Sequence, residues 1–248
     1  MELQKIIDEN SNYLDILKKN GFKVRKYSSQ KLYLVKMNYN TDILIEDDTL
    51  WKSYCKSAII DSNTNKIVCL SPMKSIKKDS IEDYEKDLLN NLQQIIDGTM
   101  INLFYHNNEW KISSRSEIGG KNHNYKTPQF VKLFEEATKE LNYEELNINY
   151  SYSFVLRHCK NRIVTPVCKN MVVLTNVFDT SKDTITELSH QEVYTLYNDM
   201  NGFEIIKPIH ISELNDDLSY PWICKGYTYK MNNKRYTWKN PNYEYVLD

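Results

Sequence analysis

Glycine and proline are scarce, with six of each in 248 residues. Neither builds a linker-like stretch that would divide the chain. No glycine loop of the Walker or dinucleotide type is present. The expectation is one domain over 1–248, with an N-terminal helix and strands in 1–50 leading into a core over 51–248. No apolar run approaches the length that spans a bilayer. The start, Met1-Glu2-Leu3-Gln4-Lys5, lacks the apolar core of a signal peptide. No membrane partner is expected. The five cysteines (Cys55, Cys69, Cys159, Cys168, Cys224) are odd in number and never at CxxC spacing. That argues against a zinc site or disulfide framework and for a reducing, cytoplasmic compartment. His106, His123, His158, His190 and His210 show no metal-ligand spacing, so no metal centre is expected. A net charge near zero, 32 basic against 33 acidic residues, excludes a globally basic nucleic-acid binder but leaves room for a local basic cleft.

What is present is ordinary for a globular protein: 41% hydrophobic and 26% charged residues. Abundant Asn, Lys, Ile and Tyr read as the codon bias of an AT-rich genome such as that of a large DNA virus or a protist. A virus-infected cell or viral factory is the setting this suggests. Apolar spacing predicts a helix over 2–19, a second over 127–141 with Thr127 as cap, and a third from the Ser189/Glu192 capping box to near Gly202. Strands are predicted at 30–37, 57–61, 66–70, 99–105, 109–114, 150–157, 162–167, 171–178, 226–231 and 234–239, and the acidic stretch 79–94 as helix or irregular linker. Asn63-Thr64-Asn65, His106-Asn107-Asn108 and Asn232-Asn233 mark turns. This pattern is α+β with mainly antiparallel sheets flanked by helices.

Six segments stand in a fixed order: Cys55-Lys56-Ser57 to Asp61, Ser71-Pro72-Met73-Lys74, Asp97-Gly98-Thr99, Ile112 to Arg115, Ser153-Phe154-Val155, and Tyr227 onward into Thr237-Trp238-Lys239. Their order resembles the RNA ligase 1 family of T-even phages. The strings Gly98–Tyr105, Tyr152–His158 and Asn240–Val246 look closer still to ligase-like proteins of giant viruses. The resemblance covers roughly 50–246. It implies a nucleotidyltransferase (adenylation-domain) fold and, in related ligases, a helical substrate-selecting domain after the last motif.

In such ligases a lysine attacks the α-phosphate of ATP, basic residues neutralise the triphosphate, and carboxylates hold ribose and a divalent metal. This chain departs from that pattern at four places. The lysine position before Asp97-Gly98 is Ile95. Two carboxylate positions fall on Ser153 and Lys225. One lysine of the last motif is Thr237. The basic positions persist as Lys56, Lys74, Arg115 and Lys239, with Lys225 adding a charge. Asp97 is retained, and Trp238 is the candidate for stacking on a base. Asn161-Arg162 could position a loop or contact phosphate, and His158 could line the cleft.

The reading that follows is a catalytically degenerate ligase-like protein. Its basic cleft would bind nucleotide or RNA 5′ ends, in RNA processing, capping or translation and among the proteins of those assemblies. One alternative is an active ATP-dependent RNA ligase with Lys74 as displaced nucleophile, using ATP and Mg2+. Another is a protein-interaction module that keeps only the fold.

Overall fold

The computed structural model describes residues 2–37, 43–80, 92–124, 127–182, 184–209 and 221–247. Its first part runs α1 (Glu2–Glu9), α2 (Tyr13–Lys19), β1 (Phe22–Tyr27), β2 (Leu32–Met37), α3 (Trp51–Tyr54), β3 (Ser57–Asp61), β4 (Ile67–Leu70) and β5 (Ile76–Lys78). The middle holds β6 (Gln93–Gln94), β7 (Thr99–His106), β8 (Glu109–Ser114), α4 (Phe130–Ala137), β9 (Tyr150–Arg157) and β10 (Met171–Asp179). Then come β11 (Thr186–Glu187), α5 (His190–Tyr197), β12 (Glu204–Ile205), β13 (Gly226–Met231), β14 (Lys234–Lys239) and α6 (Pro241–Leu247).

Three sheets form. The first is antiparallel, β1-β2-β3-β4. The second runs β11-β10-β9-β7-β8, with β12 parallel to β10. The third is β5-β14-β13-β6, whose β5 joins β14 in parallel. The mainly antiparallel α+β expectation holds. Strands Phe22–Met37 share a sheet with Ser57–Leu70, so the N-terminal stretch is built into the same layers as the motif-bearing core.

Alternation along each strand sends side chains to opposite faces. The outer face of the first sheet (Val35, Ala58, Ile60, Leu70) is covered by α1, α2 and α3. One face of the second sheet (Ile101, Leu103, Phe154, Leu156, Leu174) is covered by α4 and α5. The other faces of these two sheets meet through Leu32, Leu34, Ile59, Cys69, Phe104 and Ile118. Strand β4 abuts β9, where the Ser151 Oγ accepts from the Leu70 N–H at 3.3 Å and the Ser153 hydroxyl donates to the Leu70 carbonyl at 3.4 Å.

Several expected elements change. The helix over 2–19 is two helices, because Asn10-Ser11-Asn12 diverts the backbone: the Asn10 amide donates to the Ile6 carbonyl. Strand β1 was not expected. Helix α4 is shorter than 127–141; Gln129 precedes it, and the Thr127 hydroxyl oxygen accepts from the Asn124 N–H instead of capping. The capping box Ser189/Glu192 is formed, but α5 stops at Tyr197. The stretch 162–167 is not a strand, since its backbone N–H groups are bound by a side chain described below. Gln93-Gln94 is strand within the acidic stretch 79–94, of which 81–91 lies outside the described residues. The three Asn turns are present, and Asn107, Asn108, Asn232 and Asn233 all take positive φ, the twist that two-residue hairpins require.

An Asn-Gly pair is the preferred form of such a turn, because glycine occupies positive φ without a Cβ penalty. Asn233→Gly is expected to stabilise the protein by about 0.5 kcal/mol, and Asn233→Val to destabilise it by about 1 kcal/mol or more. Urea unfolding of the two variants checks the pair.

Candidate functional site

The apolar strands of the second sheet are interrupted on one level by a polar row. Pairing puts Ser113, Asn102, Ser153 and Asn176 side by side across β8, β7, β9 and β10. All are buried. The Ser153 hydroxyl donates to Asn102 Oδ1 at 2.9 Å, and the Asn176 amide donates to Glu187 at 2.6 Å. The row lies on the face opposite α4 and α5, since the neighbouring positions Ile101, Leu103, Phe154 and Leu174 fill the helix-facing core. Against it come the ends of β3 and β4. Ser57 and Ser71 are joined by the Ser71 N–H donating to the Ser57 carbonyl at 3.1 Å. Five buried polar atoms here have no hydrogen-bond partner among the described residues: Ser57 Oγ, Ser71 Oγ, Asn102 Nδ2, Ser113 Oγ and Asn176 Oδ1. Orphan buried polar atoms are costly, and a group of them on one level marks a place built to meet a polar ligand or water.

The rim of this place is cationic. Lys56 directly precedes Ser57 at the end of α3, with no ion-pair partner among the described residues. Burial first, then the charges of Arg235, Arg115 and Lys225, push its ammonium down from 10.5 to about 7. Arg235, on β14, donates through Nε to the Thr228 hydroxyl at 2.9 Å, and burial lowers its guanidinium while Glu187 opposes that. A cavity of about 70 Å³, whose lining includes Gln93, Asn176, Glu187, Thr228 and Arg235, connects the third sheet to the end of the polar row.

Asp97 sits beside this cleft and is saturated. Its Oδ2 accepts from the N–H groups of Val164 (3.0 Å) and Thr165 (2.8 Å) and from the Thr165 hydroxyl (3.0 Å). Its Oδ1 accepts from the Tyr243 hydroxyl (2.7 Å) and from Lys225 Nζ (3.4 Å), whose ammonium lies over the Tyr243 ring. This explains why 162–167 forms no strand: the carboxylate takes the N–H groups that a neighbouring strand would use. Burial works to raise the Asp97 carboxyl. The hydrogen bonds from Tyr243, Thr165 and Val164 and the charge of Lys225 outweigh it and hold the group below the ordinary carboxylate value. Gly98, next in sequence, presses on β9; a Cβ there would lie 2.4 Å from the Leu156 carbonyl oxygen.

The structure places the remaining sequence candidates as follows. Lys56 lies within electrostatic range of Arg115 and Lys225, and of Arg235 as well. Lys74 is half-buried, donating to the Ile43 carbonyl at 3.3 Å. Lys239 donates to Glu244 at 2.8 Å, and Glu244 also meets Lys77. Trp238 is 2% exposed, stacked on Tyr227 at 6.0 Å with its indole N–H donating to the Asp79 carbonyl. The ring is therefore buried in the apolar cluster of the third sheet and presents no open face to a base. Ile95 is anchored by its N–H donating to the Gly226 carbonyl at 2.8 Å, which ties it to the start of β13 in the third sheet. His158 is fully buried and bonded to Glu136. Asn161 ties Asn124 to Thr99, and Arg162 donates to the Val164 carbonyl. Arg235 and the polar row were missed in the sequence. A lone Asn or Ser inside an apolar strand was the available signal.

Lys225 pairs with Asp97 at 3.4 Å, and among the described residues no group of three His, Cys, Asp or Glu side chains is placed to hold a metal ion.

No family model and no curated protein matches this sequence. Solved structures share its fold. An archaeal ATP-dependent RNA ligase superposes with a TM-score of 0.61 at 12% identity, over 98% of this chain and 65% of that one. A second form of the archaeal RNA ligase gives 0.58 at 12%, over 96% and 64%. A protein from Aquifex aeolicus assigned as an ATP-dependent DNA ligase gives 0.56 at 11%, over 92% and 62%. The chain therefore has the nucleotidyltransferase fold of ATP-dependent ligases and spans just under two thirds of each of these proteins.

Two outcomes are expected. Asp97→Asn costs about 2–4 kcal/mol in urea unfolding, because several buried donors lose an ionised acceptor. Since the folded carboxyl lies below its unfolded value, its stabilisation is present above the unfolded value and is lost as pH falls through the folded one, so the variant has a flatter acid limb. For Lys56 the slope has the same sign, but the window lies higher and the shift costs stability at neutral pH. Its folded value lies below the unfolded 10.5, so the unfolded chain binds the extra proton between about 7 and 10.5, and stability rises with pH across that window. Lys56→Met is expected to stabilise the protein at pH 7 by about 1–2 kcal/mol, discounted for partial solvent access, and to remove that rise.

Proposed function

We propose that the cleft receives a nucleotide or a phosphorylated RNA 5′ end without forming a covalent bond to it and without a metal, in a protein that keeps a ligase's fold but not its nucleophile. The observation that carries this reading is the meeting of orphan buried polar atoms with the cations Lys56, Arg115, Arg235 and Lys225. Phosphate oxygens would supply acceptors to Ser57, Ser71, Ser113 and the Asn102 amide. Phosphate charge would also relieve the mutual repulsion that depresses Lys56. A process in RNA processing, capping or translation, with protein partners drawn from it, belongs to the same proposal and rests on the resemblance in sequence.

One observation favours a second reading. Lys56 near 7 carries a large neutral fraction at physiological pH, which a nucleophile needs and Ile95 cannot provide. In that case the Lys56 amine would attack the α-phosphorus of ATP. The new P–N bond would replace the P–O bond to pyrophosphate, with the amine proton released. Lys74 remains the other lysine near this wall.

Intact-mass measurement after incubation with ATP or GTP and magnesium or manganese separates the two. Unchanged mass is expected, together with binding of a 5′-phosphorylated RNA in EDTA that weakens in Lys56→Glu and Arg115→Glu. A gain of one nucleoside monophosphate, mapped to Lys56 or Lys74, would replace the binding reading by the ligase reading.

A further inference from the structure

The inner face of the first sheet continues the cleft sideways. Pairing places Ser57 of β3 opposite Lys36 of β2, and Lys36 opposite Lys23 of β1. Cross-strand partners share a face, so Ser57, Lys36 and Lys23 form one row leading out of the cleft. Strands lie about 4.8 Å apart, which puts the Lys23 backbone roughly 10 Å from that of Ser57. Arg25, two residues along β1, is on the same face, and its guanidinium lies 4.9 Å from the centre of the Tyr27 ring. Exposure increases outward, from half-buried Lys36 to exposed Lys23 and Arg25.

Like charges directly opposed in an antiparallel pair destabilise it. Burial, then the charges of Lys23, Arg115 and Arg25, lower the Lys36 ammonium, with Glu117 opposing. Arg115 bears on both Lys36 and Lys56, so it joins this row to the cleft. A mononucleotide held at Lys56 and Arg115 has no phosphate left for cations another 10 Å away, whereas a chain of nucleotides has.

We propose that the ligand of the cleft is a single-stranded polynucleotide whose backbone runs out across the edge strand β1, over Lys36, Lys23 and Arg25. This rests on the reading of the cleft as a phosphate receptor. Phosphates paired along the row offset the Lys23–Lys36 repulsion, and the exposed Arg25 plane offers a face for a base.

The test compares a fluorescent 5′-phosphorylated single-stranded RNA of about 12 nucleotides with inorganic tripolyphosphate, both in EDTA, across a salt series. In Lys23→Glu/Arg25→Glu the RNA affinity is expected to fall about tenfold or more at low salt. The salt slope should become shallower by roughly 1.4, while tripolyphosphate binding stays unchanged. Lys23→Gln/Arg25→Gln, a gentler change at two exposed positions, gives the same readout should charge reversal perturb folding. RNA affinity unchanged in both variants, or a wild type that binds the RNA no tighter than tripolyphosphate, overturns the path across β1. A wild type that does not bind tripolyphosphate at all overturns instead the cleft reading beneath it.

Discussion

The carboxylate of Asp97 holds three distant stretches of chain at one point: the turn before β7, the segment around Val164 and Thr165, and α6 through Tyr243. An ionised acceptor inside a protein must be met by donors, and each donor it recruits is thereby fixed. Lys225 brings the start of β13 to the same place. The third sheet is held against the second in part by this one group. Beside that contact Tyr227 and Trp238 pack in the apolar cluster of the third sheet.

Around that anchor cations outnumber carboxylates, with Lys56, Arg115, Arg235 and Lys225 against Asp97 and Glu187. A lysine where a carboxylate is expected satisfies Asp97 from within the chain, so the Asp97 charge is already matched before the other cations of the cleft are reached. Lys56 shows the consequence: burial first, then the charges of Arg235, Arg115 and Lys225, lower its ammonium. On the inner face of the first sheet Lys36 and Lys23 continue the row that starts at Ser57.

Some of this was legible in the residues. The Asn-Asn turns, the capping box at Ser189, the alternation of Tyr150–Arg157 and Met171–Asp179 and the order of the motif segments are local signals, and local chemistry dictates them. The break at Asn10 to Asn12 was not read, because side-chain competition for a carbonyl at one residue outweighs helical periodicity on either side. The strand-like patterning over 162–167 misled for another reason: apolar spacing cannot show that the carboxylate of Asp97, far upstream in the chain, has taken the N–H groups of Val164 and Thr165.

The sequence alone specified which chemical groups the protein owns, among them Ile95, Ser153 and Lys225 beside Lys56, Asp97 and Arg115. Their meaning depended on register. Whether Ser57 lies beside Lys36, Asn102 beside Ser153, or Arg235 within reach of Lys56 is set by strand pairing between residues far apart in the chain. A one-residue slip would turn each of these side chains to the opposite face. Composition and motif order carry no information about that slip. The packing of Leu34, Ile59 and Phe104 between the sheets does, because a one-residue slip would turn them away from it.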